Sequence, residues 1–378
     1  MNVAAFVSTR ADLSPMSPVI AELAAASDID LAVICGIAVS AADVRAALGD
    51  PLPATGIHEL PRLDGRVDSE SIAREGIDLT AGIHEVLDRL QLDAIVVLGD
   101  RWELLYVVPA AFLAGVRIVH IHGGEVTEGA IDERVRHAVT KLADVHCVAS
   151  VDARNRVRQM GEPEGRIHLT GAPGLDRYRS IERVDDASLG SLLGSPVARP
   201  LALFTIHPAT AAEYASAGRL TRDALQATLE HCATVIATDP GMDDGRDQIL
   251  AVLDEFAGRD DRVVRVPSLG AAFPVVVASV DVVVGNSSAG IIEAPAAGVP
   301  SVDVGVRQAG RLRAASVLTA AADVRSVGAA VSTALRDDMR SHASSVPNPY
   351  GDGRAAPRIL AAVRTAADLS MSKPFVSY

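Results

Sequence analysis

Short runs rich in Val, Ile, Leu and Ala alternate with helix-like segments along almost the whole chain, and this alternation constrains the fold more than any other feature. A first series comprises Val3–Ser8, Leu31–Cys35, Ala94–Leu98, Arg117–Ile121, Val145–Ala149 and Ile167–Thr170. A second comprises Leu201–Ile206, Thr234–Ala237, Val263–Val266, Asp281–Val284 and Ser301–Val304. Few of these runs keep the strict polar/apolar alternation of a half-exposed strand. Strands covered on both faces lose it, and strands separated by helical stretches build βα units wound on a parallel sheet. Two series therefore predict an α/β protein of two Rossmann-like doubly wound domains facing a central cleft. Ligands of such sheets bind outside the carboxyl ends of the strands. The stretch from Ala172 to Pro200, with Gly174, Gly190, Gly194, Ser195 and Pro196 among charges and no apolar strand, reads as the inter-domain linker. The expected domains are residues 1–175 and 196–350. Residues 351–378 contain a helical stretch, Ala355 to Ala367, which follows a Pro/Gly-rich break and is expected to cross back to the first domain.

The chain's 378 residues exceed what one core usually supports, and its 49% hydrophobic content with only 3% aromatics suits packed strands and small-residue helices rather than disorder. A formal net charge of −13 makes nucleic acid a poor partner, so any phosphate must be held locally. Cys35, Cys147 and Cys232 lie far apart in apolar runs, which predicts reduced core cysteines rather than disulfides or a CxxC metal site. Met1 to Val7 reads as a strand and not as a signal peptide, and the longest apolar run, Leu104 to Val116, falls short of the ~20 residues that span a bilayer. A soluble, cytoplasmic protein with no membrane partner is the expectation.

Four segments concentrate polar chemistry. Asp100 follows the strand Ala94–Leu98, where it serves either as an acid–base group or as the N-cap of the next helix. The next strand delivers His120, Ile121, His122, Gly123, Gly124 and Glu125. Asp132 then opens a helix holding Arg134, Arg136, His137 and Lys141. Glycines admit a ligand to the backbone, and neighbouring carboxylates drive their pKa values apart. His120 and His122 also have the alternation of a zinc pair, but no helical HExxH-like spacing completes a site, so no metal is expected. His207 ends the strand Leu201–Ile206 before Pro208, either as a structural residue or as a catalytic or phosphate contact. Finally, Gly285-Asn286-Ser287-Ser288-Ala289-Gly290 leads into a helix, an arrangement suited to an anion, although Ser287 or Ser288 also fits an N-cap. Glu293 further along repels phosphate but accepts hydrogen bonds from ribose hydroxyls. Arg307, Arg311 and Arg313 offer counter-charge.

Together, Gly99–Glu103 (Gly-Asp-Arg-Trp-Glu), the run His120 to Lys141, Asn286–Pro295, Gly298-Val299-Pro300 and Arg307–Arg313 resemble the UDP-N-acetylglucosamine 2-epimerase family, specifically its hydrolysing branch. The resemblance runs in order from about Met1 to Ala320; the linker and tail match weakly. It implies a glycosyltransferase-B type fold, no cofactor, a UDP-sugar partner and a homodimer. It also implies anti-elimination of UDP, in which a base removes the sugar C2 proton as UDP leaves C1, giving a 2-acetamidoglucal. Water addition then yields N-acetylmannosamine and UDP. By position, Asp100, Glu125, Asp132 and His207 match the catalytic cluster, with the carboxylates and His207 moving protons. Arg10, His122, Arg136, Ser287, Ser288, Gly290, Glu293, Arg311 and Arg313 are the substrate- or UDP-binding candidates, Arg10 toward the diphosphate and Glu293 toward the ribose. The non-hydrolysing branch carries His-x-Glu-Ala-Gly where this chain has His120-Ile121-His122-Gly123-Gly124-Glu125, so His122 stands where the simplest alignment places the second carboxylate. The alternatives are non-hydrolysing epimerisation to UDP-N-acetylmannosamine, the same reaction on a UDP-diacetamido sugar, a glycosyltransferase of the same fold, and a nucleotide-sugar-binding protein without catalysis.

Overall fold

The computed structural model describes residues 1–49, 56–61, 69–127, 132–208, 217–241, 245–370 and 372–378; the side chains of residues 10, 11 and 69–71 are outside the description. The chain divides into two compact units. One contains Met1–Val126, Ile131–Asp176 and Tyr350–Tyr378, and the other contains Thr127–Ala130 and Arg177–Pro349.

In the first unit, strands β1 (Asn2–Thr9), β2 (Asp30–Ala38), β3 (Ile57–Glu59), β4 (Ala94–Leu98), β5 (Arg117–Ile121), β6 (Val145–Val148) and β7 (Ile167–Leu169) form a parallel sheet in the order β3-β2-β1-β4-β5-β6-β7. Successive side chains of a strand point to opposite faces. Val3, Ala5 and Val7 accordingly enter one core with the helices Arg10–Ala25 and Ala355–Thr365, while Ala4 and Phe6 enter another with Ser69–Leu90 and Leu104–Leu113. Both faces are covered, which is why the run shows no polar alternation.

The second unit repeats the plan with β8 (Leu201–Thr205), β9 (Thr234–Thr238), β10 (Val263–Val266), β11 (Val282–Gly285), β12 (Ser301–Val304) and β13 (Val317–Ala320), ordered β10-β9-β8-β11-β12-β13 and again parallel. Here Ala202 and Phe204 face one core and Leu201 and Leu203 the other. In each sheet the winding direction reverses once, between β1 and β4 and between β8 and β11. Those reversals are where a doubly wound sheet opens a crevice at its carboxyl edge. The crossover between the units falls at Asp176–Arg177, within the region read as a linker, and the helix Asp186–Leu193 farther along it buries Leu189 in the second unit. The strands β3 and β13 were not among the apolar runs.

The three cysteines are buried and free, and burial pushes the Cys147 and Cys232 thiols up to about 12. Among the described residues no helix is long and apolar enough to cross a membrane.

The C-terminal segment returns to the first unit and ends as a strap. Lys373 donates to the carbonyls of Lys141 and Ala143 at the end of the helix Asp132–Leu142 and pairs with the buried Glu162 at 2.8 Å. Glu162 also accepts from Lys141 at 2.5 Å and lies 3.0 Å from His146 Nε2. Burial pushes the Glu162 carboxyl up, but bonds from His146, Lys141 and Lys373 outweigh it and pull the value down to about 2. A folded value below the ordinary one stabilises the fold above about pH 4.5 and loses that contribution as pH falls through about 2. Lys373→Met is therefore expected to cost about 2 kcal/mol at pH 7, a fall of about 5 °C in Tm. Thermal melts across pH check it: the gap to wild type should narrow on acidification toward pH 2.

Candidate active site

At the carboxyl edge of the first sheet, β4 ends in Gly99-Asp100 and β5 in His122. The fully buried His120 points its Nε2 to the Gly99 carbonyl at 2.8 Å, with the Thr140 hydroxyl 3.2 Å from its Nδ1. Burial holds this imidazole neutral, its pKa down at about 3. His120 thus pins the turn that presents Asp100. The helix after that turn begins at Leu104 with Glu103 in the cap position and no side-chain cap, so Asp100 does not cap it. Its carboxylate instead takes the Arg136 guanidinium.

Arg136 is the hub. It is 1% exposed, and it donates to Asp100, to Glu133 at 3.2 Å and to the Glu125 carbonyl at 2.8 Å. A buried guanidinium is sustained only by such a set of acceptors. The Glu125 carboxylate accepts from His122 Nδ1. His122 carries a φ of +65°, which a side chain other than glycine adopts only under strain, and strain of this kind collects at functional sites. Gly124 beside it has φ +77°, and a Cβ there would lie 2.4 Å from the Ala153 carbonyl oxygen, so only glycine lets the loop pack this closely. Asp132 is the first residue of its helix. Glu128 and Gly129 lie outside the described residues, as does the Arg10 side chain.

Two further carboxylates belong here that sequence reasoning did not single out. Glu133 holds both Arg136 and His137, the latter at 3.1 Å, and the i+3 and i+4 spacings were the available signal. Glu103 is fully buried and accepts from Ser8 at the end of β1 (2.8 Å) and from Arg101 (3.1 Å), joining the two strands at the reversal. Among the described residues no group of three His, Cys, Asp or Glu side chains is arranged to hold a metal ion.

In the second unit, His207 follows β8, and Asn286 follows Gly285, the last residue of β11. The two ends are tied by the buried Asn286, whose amide oxygen accepts from the His207 N–H (2.7 Å) and whose amide nitrogen donates to the His207 carbonyl (2.9 Å). Arg307 and Gln308 donate to the Asn286 carbonyl at 3.1 and 2.8 Å. Gly285 permits the approach: a Cβ on it would sit 1.9 Å from the Thr205 carbonyl oxygen.

The Gly241 N–H donates to His207 Nδ1 at 3.3 Å, and burial, with Arg307 adding to it, drives the imidazole down to about 3. A neutral ring that accepts at Nδ1 carries its proton on Nε2. Its Nε2–H is then the donor that the ring presents.

Ser287 is the N-cap of the helix Ser288–Ala296, accepting from the Ala289 N–H at 3.4 Å, and Ser288 opens the helix. Its first N–H groups and the helix dipole favour an anion. The Gly290 carbonyl accepts from Ser301 Oγ at 2.6 Å. Burial raises the Glu293 carboxyl, which accepts from the Tyr178 hydroxyl at 3.2 Å. Arg313 is engaged by the buried Asp303 at 2.6 Å and by the Gln308 carbonyl, which leaves it holding the loop that carries Arg311.

Fold and site define the class: two parallel-sheet α/β units of the glycosyltransferase-B-like kind, with polar groups gathered at the carboxyl edges of both sheets. A family model described as UDP-N-acetylglucosamine 2-epimerase matches residues 37–364, and the chain belongs to that family. It is 31% identical over 361 residues to a Legionella pneumophila UDP-N,N'-diacetylbacillosamine 2-epimerase (hydrolyzing), covering 94% of each chain. It is 32% identical over 246 residues to a Neisseria meningitidis UDP-N-acetylglucosamine 2-epimerase, covering 62% of each. Its fold is similar to that of a Methanocaldococcus jannaschii UDP-GlcNAc 2-epimerase crystallised with UDP-GlcNAc and UDP, with TM-score 0.77 and 16% identity, over 97% of this chain and 100% of that one.

Proposed function

We propose that the protein is a hydrolysing 2-epimerase of UDP-linked 2-acetamido sugars, with UDP-N-acetylglucosamine as substrate. A base takes the C2 proton, the C2–H electron pair becomes the C1=C2 bond, and the C1–O bond to UDP breaks. Water then adds, oxygen to C1 and hydrogen to the opposite face of C2, releasing N-acetylmannosamine. The second unit's helix N-terminus and His207 receive the departing diphosphate, where negative charge develops. Asp100, Glu125 and Asp132 supply proton transfer. The observation that carries this reading is the gathering of the Asp100 and Glu133 carboxylates on the buried Arg136, which also holds the Glu125 carbonyl, with the Glu125 carboxylate on the strained His122 beside them. A binding protein or a transferase has little need of so many carboxylates in one place.

A second reading, in which the sugar is a diacetamido one, is favoured by the relative that matches 94% of the chain. Incubation of each UDP-sugar in deuterated water, followed by NMR, tests both. The expected result is UDP and a free, C2-deuterated sugar of inverted C2 configuration. A deuterated UDP-sugar would make the outcome non-hydrolysing, and turnover of the diacetamido substrate alone would transfer the assignment to it. No exchange with either sugar defeats the proposal.

A further inference from the structure

The second unit's candidate nucleotide site contains a residue that neither sequence motif nor family resemblance singles out. Tyr178 lies just past the crossover at Asp176–Arg177, in the short helical segment Pro173–Ser180. Its ring is buried in the second unit's core with Leu189, Val276 and Ala294. Its hydroxyl emerges from that core to donate to Glu293 Oε1 at 3.2 Å. Among the described residues this is the one side-chain hydrogen bond that the carboxylate receives. The same helical turn is held from a second side, where Asn348 Nδ2 donates to the Ile292 carbonyl at 2.7 Å.

Glu293 lies five positions after Ser288, roughly 7.5 Å along the helix axis. That offset is of the order separating a diphosphate at the helix N-terminus from the hydroxyls of its ribose. We propose that Tyr178 is a positioning residue that determines nucleotide specificity: its phenol fixes the Glu293 carboxylate so that the remaining oxygen accepts the ribose hydroxyls, selecting ribonucleoside over 2′-deoxyribonucleoside diphosphates. The inference rests on the nucleotide-sugar reading above.

The chemistry supports the assignment from both partners. Burial and the Glu293 charge hold the phenol well above its ordinary value, so it keeps its proton and remains a donor. Burial pushes the carboxyl up against the opposing charge of Arg177 and the phenol's hydrogen bond, so losing that bond shifts Glu293 further toward protonating or turning to water, and either change removes the acceptor that a ribose needs. Hydrogen bonds to a charged acceptor differ from a missing bond by roughly tenfold or more in affinity.

Calorimetric titration with UDP and 2′-deoxy-UDP, on wild type, Tyr178→Phe and Glu293→Gln, tests it. The Phe variant keeps the buried ring and so the fold. Wild type should prefer UDP by about tenfold or more. Tyr178→Phe should reduce that preference to a few-fold with 2′-deoxy-UDP affinity nearly unchanged, and Glu293→Gln should do likewise. A preference lost in Glu293→Gln but kept in Tyr178→Phe would overturn the role of Tyr178 and leave the nucleotide reading standing. Equal weakening of both nucleotides in Tyr178→Phe would reduce the residue to packing and overturn the proposal too. A wild type that binds the two alike removes ribose selection, and one that binds neither removes the nucleotide reading with it.

Discussion

Asp100→Asn is expected to fold, to bind UDP as wild type does, and to lose turnover by about 10²–10⁴-fold. The substitution changes charge and little else: the amide oxygen still accepts from Arg136, and the His120 contact to Gly99 keeps the turn in place. What disappears is a carboxylate that either takes a proton itself or sets the charge balance around a guanidinium shared with Glu133 and the Glu125 carbonyl. The competing view, that Asp100 caps the next helix, has lost its structural basis, because that helix starts after Glu103. It would in any case predict near-wild-type turnover, since Asn and Asp cap about equally well. Steady-state rates alongside UDP titration and a thermal melt decide the matter. A well-folded variant with undiminished turnover would transfer the catalytic burden to Glu125 and Asp132.

The central strands were legible because burial on both faces demands unbroken apolar runs, which Ala94–Leu98 and Leu201–Thr205 provide. The outer strands were not. Ile57–Glu59 reads Ile-His-Glu and Val317–Ala320 is half-covered, so neither carries the two-faced pattern of its neighbours. At the site, residue types announced themselves where glycines and carboxylates crowd together, as from His122 to Glu125. Their partners did not. His120 is a plausible metal ligand by alternation alone, and only the β4–β5 register shows that it serves the Gly99 carbonyl. Asn286 was visible as part of a small-residue loop. That it holds His207, 79 residues away, follows from β8 lying beside β11, a pairing that sequence periodicity does not specify. Glu133 was not singled out by any motif, and its part follows only from Arg136 being buried beside it.

His207→Ala is expected to lower turnover by about 10²–10³-fold, the usual effect of removing one donor aimed at developing charge. The geometry behind this is local to the second unit. Asn286 clamps the backbone of His207 to the strand end from which the Ser287-capped helix departs, and the proposed function has the imidazole and the helix N-terminus address the diphosphate together. With Nδ1 accepting from Gly241, the group on offer is Nε2–H. Affinity for UDP should weaken much less than turnover, because the charge that the donor serves grows only as the C1–O bond breaks. The pH dependence separates a donor from a base. A pKa of about 3 leaves the ring neutral throughout pH 5–8, so protonation of His207 would put no acidic limb into the wild-type profile in that window, and the alanine variant should give a profile of the same shape at lower height. A general base of ordinary basicity would instead give wild type a fall in kcat/KM below about pH 6.5, and the substitution would abolish it. Profiles of wild type and His207→Ala that differ in shape as well as height would return His207 to proton transfer; profiles that superimpose after scaling fix it as the donor that stabilises the leaving diphosphate.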